Sequence, residues 1–227
     1  MIDLHSHILP GIDDGSRDAQ MSQQMLALLQ QQGVDTVVAT PHFYAHQDAP
    51  DAFLTRRAEA FAKLEDVCQP KILLGAEVAY FDGIGRCQDM TALRLGDSEL
   101  LLVEMPWSSW TGRMVEEICD MPLQLGVTPV LAHVDRYRKE IDRYGDILLS
   151  SGALFQCNVA AILPRWTRRW ALDLYARGNI HFLGTDARNL TTRPPEMGKG
   201  VRILTEKFGA QYLEDRDAFS RQMLNIT

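Results

Sequence analysis

Six times along this chain an apolar run ends in a histidine or a carboxylate: Leu4-His5-Ser6-His7, Thr40-Pro41-His42, Gly75-Ala76-Glu77, Leu102-Val103-Glu104-Met105, Leu131-Ala132-His133 and Gly184-Thr185-Asp186. Short apolar runs bounded by turn residues read as strands, and helical periodicity fills most of the stretches between them. Residues 21–29 are amphipathic at helical spacing and stop at Gly33, after which residues 34–39 read as a strand. The alternation continues with helices over 52–67, 112–124, 138–149 and 165–177, and strands over 71–76, 99–104, 127–132, 154–158 and 180–184. Two further helices, 199–208 and 216–224, are expected to cover the barrel. Strands alternating with helices pair in parallel. In parallel α/β folds functional groups gather at the carboxyl ends of the strands, and the histidines and acids of this chain fall there.

Length suits a single domain over residues 1–227. With 23 basic and 30 acidic residues the formal charge is −7, which argues against nucleic acid or an anionic membrane surface as a general partner. The N-terminal residues turn polar at once, and no apolar run reaches the ~18 residues of a spanning helix. A cytoplasmic protein without membrane insertion is expected. Cys68, Cys87, Cys119 and Cys157 form no C-x-x-C pair and read as packed thiols, not as zinc ligands or disulfides.

Side chains at i and i+2 of a strand share a face, so His5 and His7 can grip one cation together. Imidazole and carboxylate donors suit manganese, iron or zinc, and a central glutamate can bridge two ions. Two ions held close together can stabilise the attacking and leaving oxygens of a phosphoryl transfer. Metal-assisted hydrolysis is the expected chemistry.

The ordered set His5, His7, Asp14, His42, Glu77, Glu104, His133 and Asp186 resembles the polymerase-and-histidinol-phosphatase superfamily. More narrowly, Ile2-Asp3-Leu4-His5-Ser6-His7-Ile8-Leu9-Pro10, Asp13-Asp14-Gly15-Ser16, His133-Val134-Asp135-Arg136-Tyr137 and Arg193-Pro194-Pro195 resemble the bacterial manganese-dependent tyrosine phosphatases of capsule and exopolysaccharide loci. The resemblance implies a distorted (β/α)7 barrel of the α/β class with two to three divalent ions, manganese first and iron or zinc also accepted. It implies that His5, His7, Glu77 and Asp186 hold one ion, that Glu77, Glu104 and His133 hold a second, and that Asp14 and His42 belong to a third. Arg136 and Arg193 match phosphate-contacting positions, and the nucleophile would be a metal-bound water or hydroxide. The implied partner is the phosphotyrosine-bearing tail of a tyrosine kinase; a small phosphomonoester such as histidinol phosphate is the alternative substrate. Either a monomer or a small homo-oligomer fits.

One position departs from that pattern. The family's third-metal histidine stands in a Ser-Asp-x-His-Asn segment, and here the segment reads Thr185-Asp186-Ala187-Arg188-Asn189. A guanidinium stays protonated and cannot ligate a metal. Arg188 is therefore read as a fixed cation that pairs with Asp14 and clamps phosphate. The alternatives are His46 as a substitute ligand, or a metal- and phosphate-binding module of low activity. Trp107 and Trp110 are candidates to wall the cleft. Trp166 and Trp170 are expected to pack against the barrel or a partner chain, His181 to be structural, and Asp3 to orient the metal histidines or pack at the barrel base.

Overall fold

Every strand pairing in the computed structural model is parallel. The model describes residues 1–64 and 67–226. In chain order the elements are β1 Ile2–Ser6, α1 Ala19–Gln31, β2 Thr36–Ala39, β3 His42–Phe43, α2 Pro50–Ala62, β4 Lys71–Leu74, β5 Glu77–Ala79, β6 Leu100–Glu104, α3 Gly112–Leu125, β7 Thr128–Leu131, α4 Arg138–Ser150, β8 Leu154–Asn158, α5 Arg165–Ala176, β9 Phe182–Gly184, α6 Met197–Phe208 and α7 Ala210–Met223. The strands form two sheets, ordered β1-β2-β4 and β3-β5-β6-β7-β8-β9.

Two lanes of the sheet are broken: Thr40-Pro41 separates β2 from a short unexpected β3, and Gly75-Ala76 separates β4 from a short unexpected β5, so the strand expected over 71–76 ends at Leu74. Proline has no N–H to give to a ladder, which ends the first pairing. Read end to end, the pieces make seven parallel lanes. The first and last lanes meet through a bridge between Ser6 and Ala187, with the Asp186 amide donating to the His5 carbonyl at 2.7 Å and the His7 amide to the Ala187 carbonyl at 2.9 Å. The result is a curled parallel sheet of the expected α/β class. Its main irregularity is the β5–β6 connection, which holds the short 3-10 turns Ile84–Arg86 and Gln88–Leu93 where a regular unit would have an α-helix.

Period-two alternation sorts β6 between two apolar clusters: Leu101 and Val103 join the larger one beneath the helices, while Leu100 and Leu102 join a second with Ile2, Val130, Ala132, Phe182 and Leu224. Glu104 continues the Leu100–Leu102 face and so emerges at the rim. Phe219, Met223 and Leu224, at the end of the chain, pack on this second cluster. The last helix starts at Ala210, well before the expected residue 216, because Gly209 at φ 88 is the only interruption after α6. Helix α2 ends at Ala62, earlier than expected; residues 65 and 66 of that expected helix lie outside the described residues. Cys157 is buried and Cys87 and Cys119 are half-buried, but Cys68 is exposed, so the packing expectation fails there. All four thiols are free. Among the described residues no helix is long and apolar enough to cross a membrane.

Candidate metal centre

The carboxylate of Glu77, at the start of β5, lies at the middle of a ring of side chains delivered by the strand ends. Its Oε2 is 3.3 Å from Nε2 of both His5 and His7, and its Oε1 is 2.8 Å from Nε2 of His133. Asp186, which follows β9, closes the first group: its Oδ1 is 3.7 Å from His5 Nε2 and 3.3 Å from His7 Nε2. Glu104 closes the second, with Oε1 at 3.2 Å from His133 Nε2. His42 borders both groups, its Nδ1 3.0 Å from Glu77 Oε2 and 3.9 Å from Glu104 Oε2. All eight ligand candidates read from the sequence are thus brought together, Asp14 included at 3.5 Å from His42 Nε2.

Backbone conformation contributes to the aim of these groups. His133 and Asp186 both have positive φ, 33° and 50°, a region that non-glycine residues seldom enter and that clusters at functional sites. Gly184 leaves room for the ring before Asp186: a Cβ there would stand 2.7 Å from His5 Cβ and 2.6 Å from Gln156 Nε2.

Several residues that the sequence did not single out orient the ligands. Asp13 accepts from His7 Nδ1 at 2.7 Å and from the His42 amide at 3.0 Å. Gln156 Oε1 lies 3.1 Å from His5 Nδ1 and accepts the His133 amide at 2.7 Å. With the outer nitrogens of His5 and His7 so engaged, their Nε2 atoms, 3.2 Å apart, face the same space and in the neutral rings are the nitrogens free to ligate. Asn158 donates to Asp186 Oδ2 at 3.1 Å. Asp3, read as an orienting or a packing residue, is buried and accepts from the Thr185 amide at 2.8 Å, the Thr185 hydroxyl at 2.6 Å and the His5 amide at 3.3 Å, tying β1 to the loop that carries Asp186 and hydrogen-bonding to no imidazole among the described residues.

Three arginines enter the same site. Arg136 and Arg193 both pair with Asp186 Oδ2. Arg193 is held by a tight loop in which Asn189 Oδ1 accepts the amides of Thr191, Thr192 and Arg193, an Asx-type turn. Arg188 is almost fully buried; its Nη1 pairs with Asp14 and donates to His42 Nε2 at 2.7 Å, and its Nη2 is 3.3 Å from Asp186 Oδ1. The guanidinium therefore lies against two of the three members of the candidate metal group His7, Asp14 and His42. His46 stays exposed beside Tyr44 and Gln47 and joins no such group among the described residues.

Burial opposes charge throughout the site, and the pairing decides the outcome. Burial would lower His7, but its hydrogen bonds with Asp13, Asp186 and Glu77 raise it well above the ordinary histidine range. His133 is likewise pushed up to about 9 by Glu104 and Glu77 against burial. Against burial, the charge of His5 and hydrogen bonds from His133, His5 and His7 hold Glu77 far below the usual carboxylate range. His42 moves the other way: burial, with the neighbouring His7 and Arg188, lowers it despite Glu77.

Metal fits this donor set on a direct observation. Glu77 Oε2, Asp186 Oδ1 and Nδ1 of His42 and His133 are buried and receive no well-directed hydrogen bond among the described residues, although charged or imidazole nitrogens lie within 3.0–3.3 Å of Glu77 Oε2 and Asp186 Oδ1. Buried polar atoms left so are rare and costly, and the first three face the centre of the site. The groups His5–His7–Glu77 and His42–Glu77–Glu104 each converge as metal ligands do.

The tryptophans divide differently from expectation. Trp107 is 72% exposed and sits under Arg136, whose guanidinium carbon is 5.7 Å from the ring centre. Trp110 is buried, donates to the Pro106 carbonyl and packs on Tyr137, so it does not wall the cleft. Trp170 packs on the core as expected, but Trp166 is 83% exposed and does not pack on the barrel. His181 is structural, its Nδ1 accepting the Phe155 amide at 3.1 Å.

Known proteins are similar to this chain in sequence over nearly all of its length. The chain is 30% identical over 224 residues to the tyrosine-protein phosphatase YwqE of Bacillus subtilis, covering 93% of this chain and 86% of that protein. It is 28% identical over 228 residues to the tyrosine-protein phosphatase CpsB of Streptococcus pneumoniae, covering 93% and 92%. A crystal structure from work on YwqE and CpsB, described there as unique metal-dependent tyrosine phosphatases, superposes with a TM-score of 0.85 at 28% identity, covering 100% of this chain and 96% of that one. Histidinol phosphate phosphatase from Lactococcus lactis shares the fold alone, with a TM-score of 0.53 at 15% identity and coverage of 91% and 92%. The model of the capsular polysaccharide synthesis family CpsB/CapC matches residues 1–219, and the chain belongs to that family.

Proposed function

We propose that this chain is a metal-dependent phosphomonoesterase that hydrolyses phosphotyrosine in a protein, with the tail of a tyrosine kinase of capsule or exopolysaccharide synthesis as its substrate in the cytoplasm. Family membership supports the reaction class. The observation that carries the mechanism is the division of Glu77, whose Oε2 faces His5 and His7 while Oε1 faces His133.

In this reading His5, His7, Glu77 and Asp186 would hold one divalent ion, and Glu77, Glu104 and His133 a second. Such ions, manganese first among those the donors accept, would supply positive charge to the ester oxygens and acidify water. Asp13 and Gln156 fix the imidazoles with Nε2 inward. Arg136 and Arg193 bind the phosphate through paired N–H groups and neutralise charge on its oxygens as the ester breaks. Both pair with Asp186 Oδ2. Arg188, braced by Asp14, supplies a fixed positive charge where His42 and Asp14 would otherwise share a third ion. Trp107 offers its exposed ring beside Arg136, where a substrate aromatic ring can lie.

Elemental analysis of the purified protein, together with hydrolysis of a phosphotyrosine peptide by the same preparation, tests this reading. The expected result is about two metals per chain with turnover. Bound metal without hydrolysis of that peptide or of any small phosphomonoester would overturn it in favour of a binding module.

A further inference from the structure

A groove of about 770 Å³ runs along the outer face of α5, flanked by Arg138 of α4 and Lys207 of α6. Five of its lining side chains are basic and one, Asp173, is acidic. That balance is opposite to the chain as a whole, which carries −7. The basic groups are not equivalent. Arg168 is turned inward to the backbone carbonyls of Ile162 and Leu163 and serves the fold. Arg138 is spread over the Trp170 ring at 5.9 Å and stands 3.8 Å from Asp142. Arg165, Arg169 and Lys207 are exposed and pair with no acid among the described residues, while Asp173 is taken by Arg177 at 2.8 Å. Trp166 stands between Arg165 and the following turn, 83% exposed.

One end of the groove's lining, Arg138 at the start of α4, is close in the chain to the metal centre. Arg138 follows Arg136 by two residues, so their Cα atoms are within about 7 Å of each other, and Arg136 pairs with Asp186. Helix α5 follows β8, whose last residue Asn158 donates to that same Asp186 at 3.1 Å. Helices α4 and α5 therefore both follow strand ends that deliver residues of the candidate metal centre.

Unpaired guanidinium groups bind a phosphate dianion through paired, charge-assisted hydrogen bonds, and an exposed indole offers a face to an aromatic ring. Together they make a receptor for an aryl phosphate. We propose that this groove holds a second phosphotyrosine of a substrate whose first phosphotyrosine is engaged at the metal centre. The groove holds this group without hydrolysing it, since no metal-ligand group lies there among the described residues. The proposal rests on the phosphatase reading above.

The test compares peptides bearing one or two phosphotyrosines, with the spacing varied, on the metal-loaded protein, its Arg165→Glu/Arg169→Glu variant and Trp166→Ala. The unmodified protein should show a KM about tenfold lower for the best-spaced doubly phosphorylated peptide, as expected for two exposed charge-assisted contacts. Charge reversal should remove that preference and Trp166→Ala should reduce it. The kcat values and hydrolysis of p-nitrophenyl phosphate should stay unchanged in both variants. An unaltered KM ratio in the charge-reversal variant overturns the proposal, as does an equal rise in KM for both peptides, which marks general attraction of anions. Retention of the full preference by Trp166→Ala, with inorganic polyphosphate competing as well as the peptide, leaves only a polyanion surface and overturns it too. Calorimetric binding of the doubly phosphorylated peptide separates the two readings: absent hydrolysis with binding that needs Arg165 and Arg169 defeats the phosphatase reading and supports the groove.

Discussion

Arg188 donates from Nη1 to Nε2 of His42 at 2.7 Å, and the same nitrogen pairs with Asp14. A metal ion could not occupy that corner while the guanidinium is present, because both would need the same histidine lone pair. Arg188→His should therefore bind one additional metal per chain, read by elemental analysis. Arg188→Ala should lower kcat/KM by ~10- to 100-fold, the value of a charge-assisted contact in a buried site, without loss of the two ions held around Glu77. Unchanged metal content in the histidine variant and unchanged rate in the alanine variant would show that Arg188 is neither substitute cation nor clamp.

Asp13 reaches His7 Nδ1 at 2.7 Å and so fixes which ring nitrogen faces the centre. Removal of such an outer partner typically weakens metal binding by about 10- to 100-fold. Asp13→Ala should show that loss in a manganese titration. Asp18→Ala removes only the cap of α1, where Asp18 accepts the Met21 amide, and should leave metal affinity intact.

His181 gives the protein a pH dependence unrelated to its chemistry. Burial and the neighbouring Arg216 bring its pKa down to about 4, and its Nδ1 must be unprotonated to accept the Phe155 amide. The unfolded chain takes up this proton first, near pH ~6.5. The contribution of His181 to stability is therefore constant above that value and falls between it and about 4, by up to about 3 kcal/mol in all. Urea midpoints measured across this range should flatten in His181→Gln, which keeps an acceptor without the titration.

Leu224 is buried in the cluster that closes the barrel beneath β6 and β7. Leu224→Ala should cost about 2–4 kcal/mol of stability through loss of burial and the cavity left behind. Because Leu224 is no member of the candidate metal groups, metal content of the folded variant should match the parent. A variant that unfolds at the parent's midpoint would contradict the packing described.

That the candidate ligands share one site was legible because histidine and carboxylate at the end of an apolar run are chemically conspicuous. Their supports were not. Gln156 and Asn158 are neutral amides within β8 and look like ordinary strand residues until curvature brings them beneath His5 and Asp186. Asp3 could be read two ways because its partner, Thr185, lies 182 positions away. Local periodicity also concealed the breaks at Pro41 and Gly75, since an apolar run does not show where its ladder changes partner. Trp107 and Trp110 share residue type and neighbourhood, and only packing against Tyr137 and its helix separates the exposed ring from the buried one.

Those breaks divide the ligands between two sheets. His5 and His7 belong to the end of β1 in the smaller sheet, while Glu77, Glu104 and His133 stand at strand ends of the larger one. An ion shared by His5, His7 and Glu77 is consequently a staple across the seam, and its binding energy adds to the stability of the folded chain. Scarcity of metal would then shorten the lifetime of the protein as well as silence it, so that the cell's metal supply governs both how fast each molecule works and how many molecules remain.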